Sequence, residues 1–248
     1  MQIEFNKNSG LRTLMIHSFQ SKILNGDTSS ELNLDNIIDE NGLMEIFTSQ
    51  LNKQKTIITF DDGLYQQIEL IKLFDPKKNQ VIFFPSFGLV RPTMVEPKPI
   101  ENSIAHSNKL LYLSTFMSSA EIWDLVYSKY KLGMHGWYHL NLNLNHDIDK
   151  LTTLEKLRKL KDDSKLCVEE YYKYLQNNLD DYIINNELVL YYCTPYNCMN
   201  ELQKIYIDFL TLHIQKTFTI NIPKKLVVFS GERIPIENFV KEIHNAVI

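Results

Sequence analysis

The chain has 248 residues, 44% of them hydrophobic, which is enough to bury the core of a single domain over residues 1–248. Its 26 basic and 30 acidic residues give a net charge of −4 without a basic cluster, which excludes nucleic acid as the main partner. The 3 cysteines, together with the lack of a signal-peptide pattern and of an apolar run of about 18 residues, predict a reduced, cytoplasmic protein without a membrane span.

Strand-like and helix-like segments alternate in the first part of the chain. The apolar patterns predict strands over residues 11–19, 56–60 and 81–84, and helices over residues 43–51 and 68–73. This order favours an α/β fold with a parallel sheet or barrel over an antiparallel sandwich. Residues 88–116 contain prolines and little periodicity, so they are predicted to form a long loop or insertion.

The alternation continues in the second half. Ser118 and Glu121 have the spacing of a capping box at the start of a helix. A short strand is predicted at residues 132–134, and residues 147–175 predict a long helix whose charged positions we interpret as a solvated face. The remaining predicted elements are a strand at 188–192, a helix at 202–212, two short strands at 218–220 and 226–229, and a terminal helix.

Two adjacent carboxylates, Asp61 and Asp62, end the second predicted strand in the sequence TFDDG, residues 59–63. Side chains alternate along a strand, so the two carboxylates leave it in different directions, and each must be hydrated, paired or bound to a metal ion. A polar turn that ends at Gly63 explains the same pattern, because Asp-Gly is common turn chemistry.

Two histidines, His135 and His139, follow the short strand in the sequence HGWYH. On one helical turn or in a tight loop this spacing brings both imidazoles to the same side. Two imidazoles and a carboxylate are a common ligand set for zinc and other transition metals, although two surface or hydrogen-bonded histidines are the usual alternative. The aromatic residues between them, Trp137 and Tyr138, fit either a sugar-stacking platform or ordinary packing.

Three sequence motifs together carry a resemblance to a known family. TFDDG at residues 59–63, HGWYH at residues 135–139 and TPY at residues 194–196 resemble the motifs of the polysaccharide deacetylase family, the carbohydrate esterases with the chitooligosaccharide-deacetylase homology domain. The order of strands and helices around the motifs also follows that family. The resemblance implies a distorted (β/α) barrel and an enzyme, a hydrolase that removes N-acetyl groups from an amino-sugar-containing carbohydrate.

The resemblance also implies a role for each motif residue. Asp62, His135 and His139 would hold a divalent metal ion, which is most often zinc in this family. Asp61 would be the general base that takes a proton from the metal-bound water. The backbone N–H of Tyr196 would stabilise the oxyanion beside the metal. The implied partner is the N-acetylated carbohydrate substrate.

The sequence departs from the family pattern at several positions. Cys193 stands where the family has an arginine that orients the base, and Gly136 stands where it has serine or threonine. Residues 228–233 contain no histidine, where the family has one that protonates the leaving amine. Arg233 follows a C-terminal strand, so we hypothesise that it replaces the missing arginine. Tyr65, Trp137 and Arg233 are also candidates for substrate binding.

Two further hypotheses follow from these departures. The protein could be a catalytically weak or inactive member of the fold that binds carbohydrate. It could also be a metal-dependent amidase that acts on a non-sugar substrate at the same site. Metal content and turnover on sugar and non-sugar amides distinguish the three hypotheses. The sequence gives no indication of the oligomeric state.

Overall fold

The chain folds into parallel sheets flanked by helices. A computed structural model describes residues 1–6, 12–16, 56–65, 67–71, 80–97, 115–142, 147–197, 199–230 and 233–235. The strands are β1 Gln2–Phe5, β2 Arg12–Ile16, β3 Thr56–Asp62, β4 Gln80–Pro85, β5 Lys131–Leu132, β6 Ile183–Ile184, β7 Glu187–Cys193, β8 Lys224–Phe229 and β9 Ile234–Pro235. The helices are α1 Gln67–Ile71, α2 Ser119–Tyr127, α3 Thr153–Leu175 and α4 Glu201–Thr217.

Nearly all strand pairs within the described residues are parallel. One sheet has the order β5-β4-β3-β2-β9, and the other has the order β1-β8-β7-β6, in which only the β6–β7 pair is antiparallel. The central strands are largely apolar because both of their faces are covered by other parts of the fold. In β3, for example, Ile57, Ile58 and Phe60 are all buried.

A β-bridge joins the two sheets at the end of β5. Just beyond β5, Met134 forms a parallel bridge to Tyr192 of β7, with Met134 N–H donating to the Tyr191 carbonyl over 2.9 Å. At the other side, β9 pairs with β2 although it follows β8 closely in the chain. Consequently the carboxyl ends of β3, β5 and β7 lie at one edge of the fold, where the three motifs meet.

Most of the predicted elements that fall in the described residues are observed. The strand at residues 11–19 corresponds to β2, the strand at 81–84 to β4 and the helix at 202–212 to α4. Ser118 and Glu121 form a capping box at the start of α2, as predicted. The helix at residues 43–51, the terminal helix and most of the 88–116 loop lie outside the described residues.

Several predicted boundaries were wrong. The long helix starts at Thr153 rather than at residue 147, because residues 147–150 form a separate 3-10 turn and Thr152 with Glu155 makes the capping box. Residues 218–220 do not form a strand, and β1, β6 and β9 were not predicted. These strands are short, so their sequences carry little periodicity.

Candidate metal centre

Asp62, His135 and His139 converge at the carboxyl edge of the sheets. The Asp62 Oδ1 atom lies 3.2 Å from His135 Nε2 and 3.0 Å from His139 Nε2, and the two Nε2 atoms are 3.1 Å apart. Ligand atoms that each lie about 2.1 Å from one ion, at angles of about 90° to 109°, are separated by about 3.0 to 3.4 Å. The spacing of these three atoms therefore fits one shared divalent cation. We call these residues the triad.

The Asp62 carboxylate has the electrostatics of a ligand. Its Oδ1 is buried and has no hydrogen-bond partner among the described residues, although two imidazole nitrogens lie within 3.2 Å of it. Burial acts to raise the pKa of Asp62, but His135 and His139 outweigh it and hold the pKa well below its usual range. Asp62 is thus an anion whose Oδ1 atom faces two imidazole nitrogens, the kind of arrangement in which all three atoms can bind one cation.

The imidazole of His135 is oriented by the backbone of β7. Its Nδ1 lies 2.9 Å from the carbonyl of Cys193, which accepts a hydrogen bond from the Nδ1–H tautomer. This tautomer leaves a lone pair on Nε2, the atom that faces Asp62 and His139. A backbone carbonyl that fixes the second nitrogen is a common outer contact of metal-binding histidines.

Three of the six described non-glycine residues with positive φ lie in the motifs around the triad; the other three are Lys129, Asn185 and Asn186. Asp62 has φ 72°, His139 has φ 52° and Tyr196 has φ 55°, and each belongs to a different motif. Gly63 and Gly136, beside the ligands, also have positive φ, and a Cβ at Gly63 would lie 2.8 Å from Pro85 Cβ. Side chains rarely adopt this region without compensation, and such residues cluster at functional sites.

Asp61 lies in a different environment from its neighbour. Its carboxylate is fully buried, and Arg233 Nη1 donates to Oδ1 over 2.8 Å and to Oδ2 over 2.6 Å. The Cys193 thiol donates to Asp61 Oδ2 over 3.4 Å, and burial raises the pKa of this thiol, so it remains neutral. We call Asp61, Cys193 and Arg233 the inner network.

A second group of three possible ligands, Asp61, His135 and Cys193, also brings its donor atoms within 4.8 Å of one another. Arg233 engages both carboxylate oxygens of Asp61 in that group, whereas Asp62 Oδ1 in the triad has no such cation. The triad is therefore the better candidate for an ion.

The predicted substrate-binding residues lie in three different settings. Arg233 is buried with its guanidinium on Asp61, so its contacts are those of an orienting residue. Trp137 is partly buried, and its carbonyl accepts a hydrogen bond from Gly88 N–H over 2.8 Å. Tyr65 packs under the Arg91 guanidinium, 5.8 Å from ring centre to cation, and its N–H donates to Thr115.

The more exposed aromatic rings near the triad are Tyr138 and Tyr196. Their exposed fractions are 58% and 53%, and the Tyr196 ring lies 4.7 Å from the His139 ring. Tyr196 belongs to the short turn Pro195–Asn197 that follows β7. The ring of Tyr196 thus forms part of the rim of the candidate centre.

Sequence reasoning missed the contact between Asp163 and the segment that joins His135 to His139. We interpreted the charges of its helix as a solvated face, but Asp163 is only 3% exposed. Its carboxylate accepts hydrogen bonds from Trp137 N–H and Tyr138 N–H, which lie between His135 and His139. The available signal was its position one helical turn from Leu160 and Cys167, which are both buried.

Comparisons with known proteins do not assign a family. No protein-family model matches the chain, and no curated protein matches it at a significant level. Among solved structures, the arginine decarboxylase of Paramecium bursaria Chlorella virus is 11% identical, with a TM-score of 0.29 over 71% of this chain and 40% of the viral enzyme. The chain thus spans less than half of that enzyme, and a likeness this low defines neither fold nor function.

The described residues contain no helix that is both long and apolar enough to cross a membrane.

Proposed function

We propose that this protein is a divalent-metal-dependent hydrolase of the polysaccharide deacetylase type, which removes N-acetyl groups from an amino-sugar-containing carbohydrate. The observation that carries the proposal is the convergence of Asp62 Oδ1 and two imidazole Nε2 atoms, all within 3.2 Å of one another. These residues come from two distant sequence motifs. Zinc suits this donor set of one carboxylate oxygen and two imidazoles.

The distorted (β/α) barrel belongs to the same proposal. The Met134–Tyr192 bridge continues one sheet into the other, and β9 brings the chain back to β2. A path through β2, β3, β4, β5, β7 and β8 that returns through β9 would close a barrel. Sites at the carboxyl ends of the strands are typical of such folds, and the triad lies at those ends.

The residues beside the triad suit amide hydrolysis. When bound, a divalent ion lowers the pKa of water and polarises a carbonyl oxygen. Asp61 takes the proton of the attacking water, and its carboxylate is held in one orientation by Arg233 and Cys193. The family has an orienting arginine at the position of Cys193. Arg233, the residue before β9, supplies that positive charge here.

In this proposal, Tyr196 stabilises the negative charge that develops on the amide oxygen. Its backbone N–H donates to the oxyanion that forms as water adds to the amide carbonyl, before the C–N bond breaks and releases acetate and a free amine. The left-handed turn at Tyr196 and its ring contact with His139 support this assignment. The exposed rings of Tyr138 and Tyr196 offer flat faces suited to packing against a sugar ring.

Metal analysis and an acetate-release assay test the proposal together. We expect about one divalent ion per chain and acetate release from N-acetylglucosamine oligomers, with Asp61→Asn retaining the ion and losing turnover. Absence of a bound ion would overturn the metal centre. An ion without turnover would favour a carbohydrate-binding protein, and turnover on simple acetamides but not on sugars would favour an amidase.

A further inference from the structure

We propose that Asp163 is a positioning residue that holds the loop carrying both histidines of the triad. This inference rests on the proposed metal centre, and it concerns how the chain builds that centre. Asp163 lies on α3, whereas His135 and His139 follow β5, so the contact joins elements that are distant in sequence. It assigns a function to a buried carboxylate that the hydrolytic chemistry does not use.

The contacts of Asp163 are directed at the segment between the two histidines. Trp137 N–H donates to Asp163 Oδ1 over 3.0 Å, and Tyr138 N–H donates to Oδ2 over 2.9 Å. The Tyr206 hydroxyl of α4 donates to Oδ1 over 2.6 Å. One carboxylate therefore satisfies two consecutive backbone donors and is itself anchored by a second helix.

The loop needs an external acceptor because it is not helical. Gly136 has φ 83° and His139 has φ 52°, so residues 135–139 cannot form the backbone hydrogen bonds of a helical turn. Buried backbone N–H groups that lack a partner cost free energy. By accepting from Trp137 and Tyr138, Asp163 stabilises the conformation that places two imidazoles four residues apart on one side.

The Asp163 carboxylate and the Tyr206 hydroxyl both lie near Gly136. A Cβ built at Gly136 would lie 3.4 Å from Asp163 Oδ1 and 3.5 Å from the Tyr206 hydroxyl. The carboxylate and the phenol thus pack directly against the loop backbone. Side chains of α3 and α4 therefore contact the loop that carries both histidines.

The isosteric variant Asp163→Asn tests the role of the carboxylate. An amide offers one acceptor oxygen, and its NH2 group would face one of the two loop N–H groups, so at least one hydrogen bond is lost. Changes to outer contacts of metal ligands typically weaken metal binding by about 10- to 100-fold, and we expect a loss of zinc affinity in this range. The measurement is chelator competition on folded protein.

Two further variants make the test specific. Tyr206→Phe removes the anchoring hydroxyl and leaves both loop contacts in place, so we expect a smaller loss of about tenfold, the lower end of that range. Asp162→Asn is the matched control, because Asp162 is the preceding residue of the same helix and is exposed. We expect its zinc affinity to equal that of the wild type.

Two readouts separate positioning from a purely structural role. In metal-free Asp163→Asn the amides of Trp137 and Tyr138 should exchange with solvent faster, while those of the central strand β3 should not. In the cobalt-loaded protein the visible absorption bands should shift, since they report ligand geometry. A variant that only lowers the melting temperature, with wild-type affinity and bands, overturns the inference.

The outcomes distinguish this inference from the proposed function. Wild-type protein that binds no divalent ion overturns the metal centre and this inference with it. Wild-type protein that binds zinc, with unchanged affinity in Asp163→Asn, overturns only the role of Asp163. If Asp163→Asn does not fold, Tyr206→Phe decides: wild-type affinity and wild-type amide exchange in that variant overturn the inference.

Discussion

The inner network and the triad contain adjacent aspartates in opposite environments. Asp61 is fully buried, and Arg233 and Cys193 contact its carboxylate. Asp62 has a side chain that is 22% exposed and an Oδ1 atom without a hydrogen-bond partner among the described residues. The two aspartates are neighbours in the sequence, but side chains alternate along β3 and Asp62 has a left-handed conformation. Their carboxylates therefore enter different environments.

This difference indicates which carboxylate suits which role. A group that must keep its orientation while a proton moves benefits from fixed partners, and Asp61 has them. A group that must bind an ion needs an oxygen that no other cation or donor occupies, and Asp62 has one. The comparison therefore supports the proposed division, in which Asp62 holds the ion and Asp61 takes the proton, and the predictions below test it.

Removal of Arg233 should have the largest effect, because it leaves the Asp61 carboxylate buried without its cation. Breaking a buried pair costs about 3–5 kcal/mol, so we expect Arg233→Ala to lower the free energy of unfolding by about that amount. Urea denaturation measures it. Lys204→Ala is the control: the Lys204–Glu201 pair is exposed on α4, and its loss should cost less than about 0.5 kcal/mol. Equal costs in the two variants would show that Asp61 does not depend on Arg233.

Asp62→Asn should affect metal binding more than Asp61→Asn does. Loss of an outer contact weakens binding by about 10- to 100-fold, so loss of a direct ligand should weaken it by more than about 100-fold. Asp61→Asn should bind zinc nearly as tightly as the wild type, because the Arg233 guanidinium already engages both oxygens of Asp61. Chelator competition on both variants measures this. The opposite ranking would exchange the two roles.

Metal affinity should rise with pH through the neutral range. Burial acts to lower the pKa of His135, but Cys193 and Asp62 outweigh it and raise the pKa well above its ordinary value. Because zinc binds the neutral imidazole, each ion that binds where His135 is protonated displaces a proton. Below the raised pKa we expect the affinity to increase by about tenfold per pH unit.

The stability of the metal-free protein should change in the opposite direction. A histidine with a raised pKa in the folded state contributes stability that is complete below its unfolded pKa, near 6.5, and is lost as the pH rises through the folded value.

Calorimetric zinc titrations in two buffers of different ionisation enthalpy, at pH 6 and pH 8, measure the proton that zinc binding releases. A zinc affinity that is equal at both pH values would contradict the assignment of His135.

The sequence was sufficient where the local pattern has one interpretation. The apolar run before Asp61 predicted β3, because a central parallel strand is apolar on both faces. The spacing of His135 and His139 indicated that their rings share a side, and the structure brings them together with Asp62. The structure shows this arrangement in a loop, which the spacing alone did not distinguish from a helical turn.

The sequence was insufficient where two equal residues differ only in their surroundings. Asp162 and Asp163 are adjacent on α3, yet the first is exposed and the second is buried against the triad loop. The difference depends on how α3 is rotated toward residues 136–138, which charge patterning does not record. Arg233 was identified only by its place after a strand, because its contact with Asp61 spans 172 residues of sequence.

The smallest predicted effect concerns Tyr196, on the exposed side of the triad. Because the proposed oxyanion donor is its backbone N–H, Tyr196→Phe should leave the rate of acetate release within about twofold of the wild type. Removal of an oxyanion donor costs about 100- to 1,000-fold in kcat, so the two possibilities are well separated. A large loss of kcat in Tyr196→Phe with unchanged zinc affinity would assign catalysis to the hydroxyl. The exposed side of the triad would then contribute a reacting side chain, in addition to the ion and a backbone donor.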